Sequence, residues 1–137
     1  MKYFLGIDYG SKISGLARAD ADSEIKIAQA WSTVKTNELL NFVMSHKDEI
    51  TKVVIGRSLN LSGKENPIAK QAKEFAQKLQ DAGLEVEFED ERFTTQGALA
   101  LQRMIKRKSK TRKPQNKERV DAFAAAQILQ SYLDKLK

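Results

Sequence analysis

The apolar positions along the chain fall into a small number of patterned runs. Residues 2–8, KYFLGID, are nearly continuous in apolar character and predict a strand buried on both faces. Tyr9-Gly10-Ser11-Lys12 reads as a turn, with Gly10 free to take an unusual backbone angle. Residues 13–19, ISGLARA, predict a second strand returning antiparallel to the first. Residues 25–31, IKIAQAW, alternate and predict a half-buried third strand. A helix follows, capped by Thr36 or Thr33, with Leu39, Leu40, Val43 and Met44 on one face. Residues 52–56, KVVIG, form a short β-branched strand. After a loop, Asn66 and Pro67 open a second helix, whose apolar stripe is Ile68, Ala72, Phe75, Ala76 and Leu79 and whose end is Gly83. Residues 84–90, LEVEFED, alternate strictly as a fifth strand. Thr94 or Thr95 caps a third helix with Ala98, Leu101 and Ile105 inward, and a last helix runs from about Glu118 to Leu136.

The order is therefore βββαβαβαα. A meander of three strands precedes alternating helix and strand, and the crossovers that return over the sheet are right-handed. The expected architecture is α/β: a five-stranded mixed sheet with the first strand central and helices on both faces. No repeat, low-complexity tract or linker divides residues 1–137, so one domain is expected.

Composition changes this picture in two ways. The chain has no cysteine, which excludes a disulfide framework and a thiolate metal site and makes a reducing cytoplasm the default compartment. The opening apolar run is too short for a membrane span and lacks the layout of a signal peptide. The net charge is +6, but nine Lys or Arg and a single acid between Arg103 and Arg119 carry +8, so the other 120 residues sum to −2. A basic segment set between two helices suggests a polyanionic partner, nucleic acid ahead of an acidic membrane surface. The plain alternative is a solvated loop whose charge serves solubility.

Candidate chemistry lies in acids at the ends of apolar elements. Asp8 ends the first strand, where the side chain of a central strand can reach the crevice at the sheet's edge. It could equally cap the turn by accepting the amides of Gly10 and Ser11. On the last helix Asp121, Ala124, Ala125, Ile128, Leu129 and Tyr132 share one face, and a carboxylate on that face calls for a metal or a lysine. A first-turn acid complementing the helix dipole is the simpler reading. Asp90, Glu91 and Arg92 end the fifth strand, with either acid available to a site, while the hydroxyls and helix-terminal amides at Thr94 and Thr95 could hold a phosphate. Converging carboxylates suit phosphodiester hydrolysis, because Mg²⁺ takes hard oxygen ligands and two such ions activate water and stabilise the leaving oxygen. Without cations, clustered acids repel. His46 is expected to be solvated, and Trp31 to be a core or sheet-edge aromatic.

At these residues the sequence resembles the YqgF family of Holliday-junction resolvase-like proteins, also described as nucleases that mature small-subunit ribosomal RNA. The resemblance rests on GIDYGSK at 6–12 with GLA at 15–17, VVIGRSLNLSGKENP at 53–67, DERFTT at 90–95 and VDAFAAAQILQSYL at 120–133. It covers nearly the whole chain and implies an RNase H-like fold. It further implies a catalytic and metal-binding set of Asp8, Glu91 and Asp121, with Mg²⁺ or Mn²⁺ as cofactor. Nucleic-acid contacts are then expected from Lys12, Arg92, Arg103, Lys106, Arg107, Lys108, Lys110, Arg112 and Lys113.

The expected activity is metal-dependent endonucleolytic cleavage of structured nucleic acid in the cytoplasm, either a 16S rRNA precursor, with a ribosomal precursor particle as partner, or a DNA junction. No membrane partner is expected. A monomer and a homodimer both remain open. The competing reading is a non-catalytic RNA-binding ribosome-assembly factor on the same fold, since the fourth strand runs into Arg57-Ser58 rather than an acid. A nucleotide-dependent phosphotransferase is a third reading, from the phosphate-loop character of Asp8-Tyr9-Gly10-Ser11.

Overall fold

A computed structural model describes residues 2–57, 67–90 and 117–136; at residues 57, 90 and 117–121 it describes the backbone path. Five strands form one sheet: β1 (Tyr3–Asp8), β2 (Ile13–Asp20), β3 (Gln29–Lys35), β4 (Ile50–Arg57) and β5 (Val86–Asp90). Among the described residues three α-helices accompany them: α1 (Thr36–Ser45), α2 (Pro67–Asp81) and α3 (Lys117–Lys135), with a 3-10 turn at Lys47–Glu49. The strand order is β3-β2-β1-β4-β5, with β1 central. β2 is antiparallel to β1 and β3 to β2, whereas β4 is parallel to β1 and β5 to β4. This is the mixed sheet expected from the order of elements. The expected helix over Ala98–Ile105, the Asn66 cap and the Thr94 or Thr95 cap lie outside the described residues.

Strand alternation splits the core into two layers. Tyr3, Leu5, Ile7, Leu16, Val53 and Ile55 face α1 and α2, and pack on Leu39, Val43, Ala72, Phe75, Ala76 and Leu79. Ala17, Ala19 and Val54 face the opposite side and pack on Ala125, Ile128, Leu129 and Leu133 of α3. Small residues dominate the second layer, so α3 lies close against the sheet. A Cβ placed on Gly6 would sit 2.7 Å from the Leu129 Cβ and 2.9 Å from the Ala125 carbonyl oxygen, and only glycine fits there.

Four local readings are revised. The third strand runs from Gln29 to Lys35, not 25–31. Its pairing with β2 begins at Arg18↔Gln29 and shifts register between Leu16 and Ala17, opposite Trp31. Ile25 and Ile27, whose alternation suggested burial, are 72% and 62% exposed. The segment before β3 is instead held to α3, where the Ala28 N–H donates to Gln130 Oε1 at 2.9 Å. Thr36 is the first residue of α1 rather than its cap; the cap is Lys35, whose side chain makes no capping hydrogen bond. Gly10 does not have a positive φ; Gly83, at φ 96°, does, and it ends α2 as expected. His46 is half-buried, with its ring 4.5 Å from Phe42 and 5.8 Å from Trp31.

Among the described residues no helix is long and apolar enough to cross a membrane.

Candidate active site

Asp8 closes β1 opposite Gly15 of β2. Along β1, positions 4, 6 and 8 share one face by alternation, and the contact of Gly6 with Leu129 and Ala125 identifies it as the α3 face. Asp8 is half-buried there and has interactions of its own.

The direction of α3 follows from its contacts. Tyr132 receives a hydrogen bond from Lys52 Nζ at 3.0 Å, and Lys52 is paired with Phe4. Ala125 and Leu129 lie on Gly6, two residues further along β1. The helix thus runs antiparallel to β1, and its N-terminal turns approach the strand's C-terminal end. Position 121 precedes Ala125 by about one turn, roughly 5.4 Å. Asp8 lies two residues beyond Gly6, roughly 6.6 Å along the strand. The backbone positions of Asp8 and Asp121 are therefore brought to the same end and the same face of the sheet.

Of the other expected site residues, Lys12 is exposed on the β1–β2 turn. Glu91, Arg92, Arg103, Lys106, Arg107, Lys108, Lys110, Arg112 and Lys113 lie outside the described residues. Asp90 ends β5 level with Arg57 of β4. Among the described residues no group of three His, Asp or Glu side chains is gathered at one point.

The turn after Asp8 is tightly held. Ser14 is completely buried, and its hydroxyl accepts the Gly10 N–H at 3.3 Å. Thr36 Oγ1 lies 2.8 Å from Ser14 Oγ and donates to the Gly10 carbonyl oxygen at 2.8 Å. The Thr36 N–H donates to the Lys12 carbonyl oxygen at 2.8 Å. Gly10 admits no side chain, because a Cβ would fall 2.2 Å from the Ile13 carbonyl oxygen. Tyr9 packs on Phe75, with ring centroids 5.6 Å apart, and burial, followed by the charge of Glu74, raises its phenol pKa above the usual value.

A further acid lies on the α3 face. Glu89 of β5 is 3% exposed, and its Oε1 accepts from Ser131 Oγ at 3.0 Å and from Lys135 Nζ at 2.6 Å. This carboxylate is neutralised by a lysine and ties β5 to α3. Alternation in LEVEFED assigns Glu89 to the polar face. Only the i, i+4 pair Ser131 and Lys135 on a helix of small residues hints that this face is covered.

The sequence profile of the family described as "RuvX: Holliday junction resolvase" matches residues 2–135. The chain belongs to the RuvX family. Curated RuvX-like relatives span it end to end. A protein of Phocaeicola vulgatus named "Putative pre-16S rRNA nuclease" is 35% identical over 141 residues, covering 100% of this chain and 99% of its own. A protein of the same name from Tropheryma whipplei is 36% identical over 133 residues, covering 97% and 87%. Among solved structures, the fowlpox virus Holliday junction resolvase superposes with a TM-score of 0.60 at 12% identity, covering 98% of this chain and 99% of the other. That likeness places the RuvX chain in the resolvase, RNase H-like fold. The recognition made from four sequence motifs and the mixed-sheet fold are both borne out.

Proposed function

We propose that this protein is a divalent-metal-dependent nuclease that hydrolyses phosphodiester bonds in structured RNA, with a precursor of 16S rRNA as its substrate. The names of its full-length relatives support the reaction class and favour RNA over a DNA junction. The observation that carries the reading is the convergence of β1 and α3. Gly6 allows the last helix to lie against the central strand, so the Asp8 and Asp121 positions share one end of one sheet face.

The donor chemistry fits the proposed cation. Asp8 is a hard oxygen donor at a half-buried strand end, the ligand type that Mg²⁺ and Mn²⁺ prefer. Asp121 and Glu91 complete the proposed set. Bound there, the cation would supply an activated water and stabilise charge on the leaving oxygen. The chain's own groups do the remaining work. Lys12, exposed four residues after Asp8, holds a phosphate oxygen beside the acids. Arg92 and the basic segment that includes Arg103, Lys106, Arg107, Lys108, Lys110, Arg112 and Lys113 grip the flanking backbone and set the strand's register. One active site suffices for RNA trimming, so a monomer acting on a ribosomal precursor particle in the cytoplasm is the proposed working form.

The test is a cleavage panel of 16S precursor RNA, linear DNA and a four-way DNA junction with Mn²⁺ or Mg²⁺, comparing wild type with Asp8→Asn and Asp121→Asn. Cutting of the RNA by wild type, lost in both variants with their folds intact, is the expected result. Equal rates in all three proteins would end the assignment. Salt-sensitive RNA binding without cleavage under any metal would identify a binding factor instead.

A further inference from the structure

The hydroxyls of Ser14 and Thr36 form a closed circuit with the backbone of Gly10. Each hydroxyl has one proton, and this fixes the direction of every bond. Thr36 gives its proton to the Gly10 carbonyl oxygen. It can therefore only accept from Ser14, 2.8 Å away. Ser14, having given its proton to Thr36, accepts the Gly10 N–H. The chain runs Gly10 N–H to Ser14, Ser14 to Thr36, and Thr36 back to the Gly10 carbonyl. Bonds linked in this way polarise and strengthen one another.

Three features set this circuit apart from ordinary satisfaction of buried hydroxyls. Thr36 opens α1, yet its hydroxyl is directed away from its own helix, onto a turn 26 residues earlier. The same residue takes the Lys12 carbonyl with its N–H, so one residue of α1 holds both ends of the segment from Gly10 to Lys12. The position held admits glycine alone, because any Cβ would collide with the Ile13 carbonyl. That segment joins Asp8 to Lys12, the acid and the base that the proposed mechanism needs side by side.

We propose that Ser14 and Thr36 are positioning residues. Their circuit through Gly10 fixes the turn between Asp8 and Lys12, so that the Asp8 carboxylate is preset for a divalent cation. This rests on the nuclease reading given above. Groups that orient a metal ligand without touching the metal commonly change its affinity by about 10-fold or more when removed.

The experiment compares wild type, Thr36→Val, Thr36→Ser, Ser14→Ala and Asp8→Asn. Thermal unfolding establishes that each is folded, calorimetric titration gives Mn²⁺ affinity, filter binding in EDTA gives RNA affinity, and single-turnover assays give cleavage. Thr36→Val and Ser14→Ala should bind Mn²⁺ about 10-fold more weakly and cut correspondingly more slowly, with RNA affinity within about two-fold of wild type. Thr36→Ser, which keeps the hydroxyl, should restore both; if only one of the two disrupting variants folds, that one and Thr36→Ser decide. Wild-type Mn²⁺ affinity in the disrupting variants, with Asp8→Asn defective, overturns the positioning role and leaves the nuclease reading standing. Asp8→Asn indistinguishable from wild type in metal binding and cleavage removes the nuclease reading, and this proposal with it.

Discussion

Gly6 of the first strand and Leu129 of the last helix are in such close contact that a single methyl at position 6 would lie 2.7 Å from the Leu129 Cβ. The second obstacle is the Ala125 carbonyl, which is backbone and cannot swing aside. Gly6→Ala should therefore destabilise the protein by about 1–3 kcal/mol, the usual cost of overpacking a filled core. Urea denaturation measures this directly. Because the methyl wedges α3 away from β1, cleavage by the folded fraction should also fall; an unchanged rate per folded molecule would mean that the strand–helix spacing does not matter to the site.

Lys135→Met should leave the Glu89 carboxylate buried, with the Ser131 hydroxyl still donating to it. Removing one member of a fully buried pair typically costs 3–5 kcal/mol. The Lys135 side chain is 57% exposed, and water screens part of the interaction, so about 1–3 kcal/mol is expected. Glu89→Gln keeps an acceptor for both donors and should cost less than Lys135→Met. The reverse ranking in chemical denaturation would show that the negative charge of Glu89 contributes more than its role as a hydrogen-bond acceptor.

Tyr3 and Tyr9 give the fold an alkaline limit. Burial is the main cause of the raised pKa of each phenol, reinforced by Glu49 at Tyr3 and by Glu74 at Tyr9, while Arg18 partly offsets the rise at Tyr3. The native state thus holds these protons more tightly than the unfolded chain, where a tyrosine titrates at about pH 10. Their contribution to stability is complete below about pH 10 and is lost as pH rises through the higher native values. Urea midpoints should be level to about pH 9 and decline above about pH 10. Tyr3→Phe should flatten that decline. At neutral pH the same substitution should be neutral or stabilising, since the Tyr3 hydroxyl is buried with no hydrogen-bond partner among the described residues.

Replacing Lys106, Arg107 and Lys108 together by glutamine should weaken RNA binding without abolishing metal binding. For single-stranded segments, each phosphate that is no longer neutralised makes the slope of log affinity against log salt shallower by roughly 0.7. A slope unchanged by the triple substitution would return the basic segment to the role of a solubilising loop.

The central strand, the first turn and the last helix are legible in the sequence because one physical pattern dominates each. KYFLGID is apolar on both faces because β1 lies between two packed layers. The period of Ala125, Ile128 and Leu129 marks the face of α3 that is buried. The third strand is misplaced by pattern alone because the register shift opposite Trp31 breaks the alternation of QAWSTVK, and only pairing with β2 reveals that segment as the strand. Thr36 reads as a cap because local chemistry allows it. Its true partner, Gly10, is distant in sequence, and periodicity carries no information about such contacts. The same limit hides Glu89, which reads as a solvent-facing acid until α3 covers it. For the site, the sequence supplies Asp8 and Asp121 as acids on core-facing elements, and the fold supplies the reason they share one end of the sheet.

The contact between β1 and α3 also bears on timing. During synthesis β1 leaves the ribosome first, while α3 follows only after every other strand and helix described. Until then Ala17, Ala19 and Val54 lack the Ala125, Ile128, Leu129 and Leu133 side chains on which they pack in the folded protein. A nascent chain therefore carries Asp8 long before Asp121 can join it.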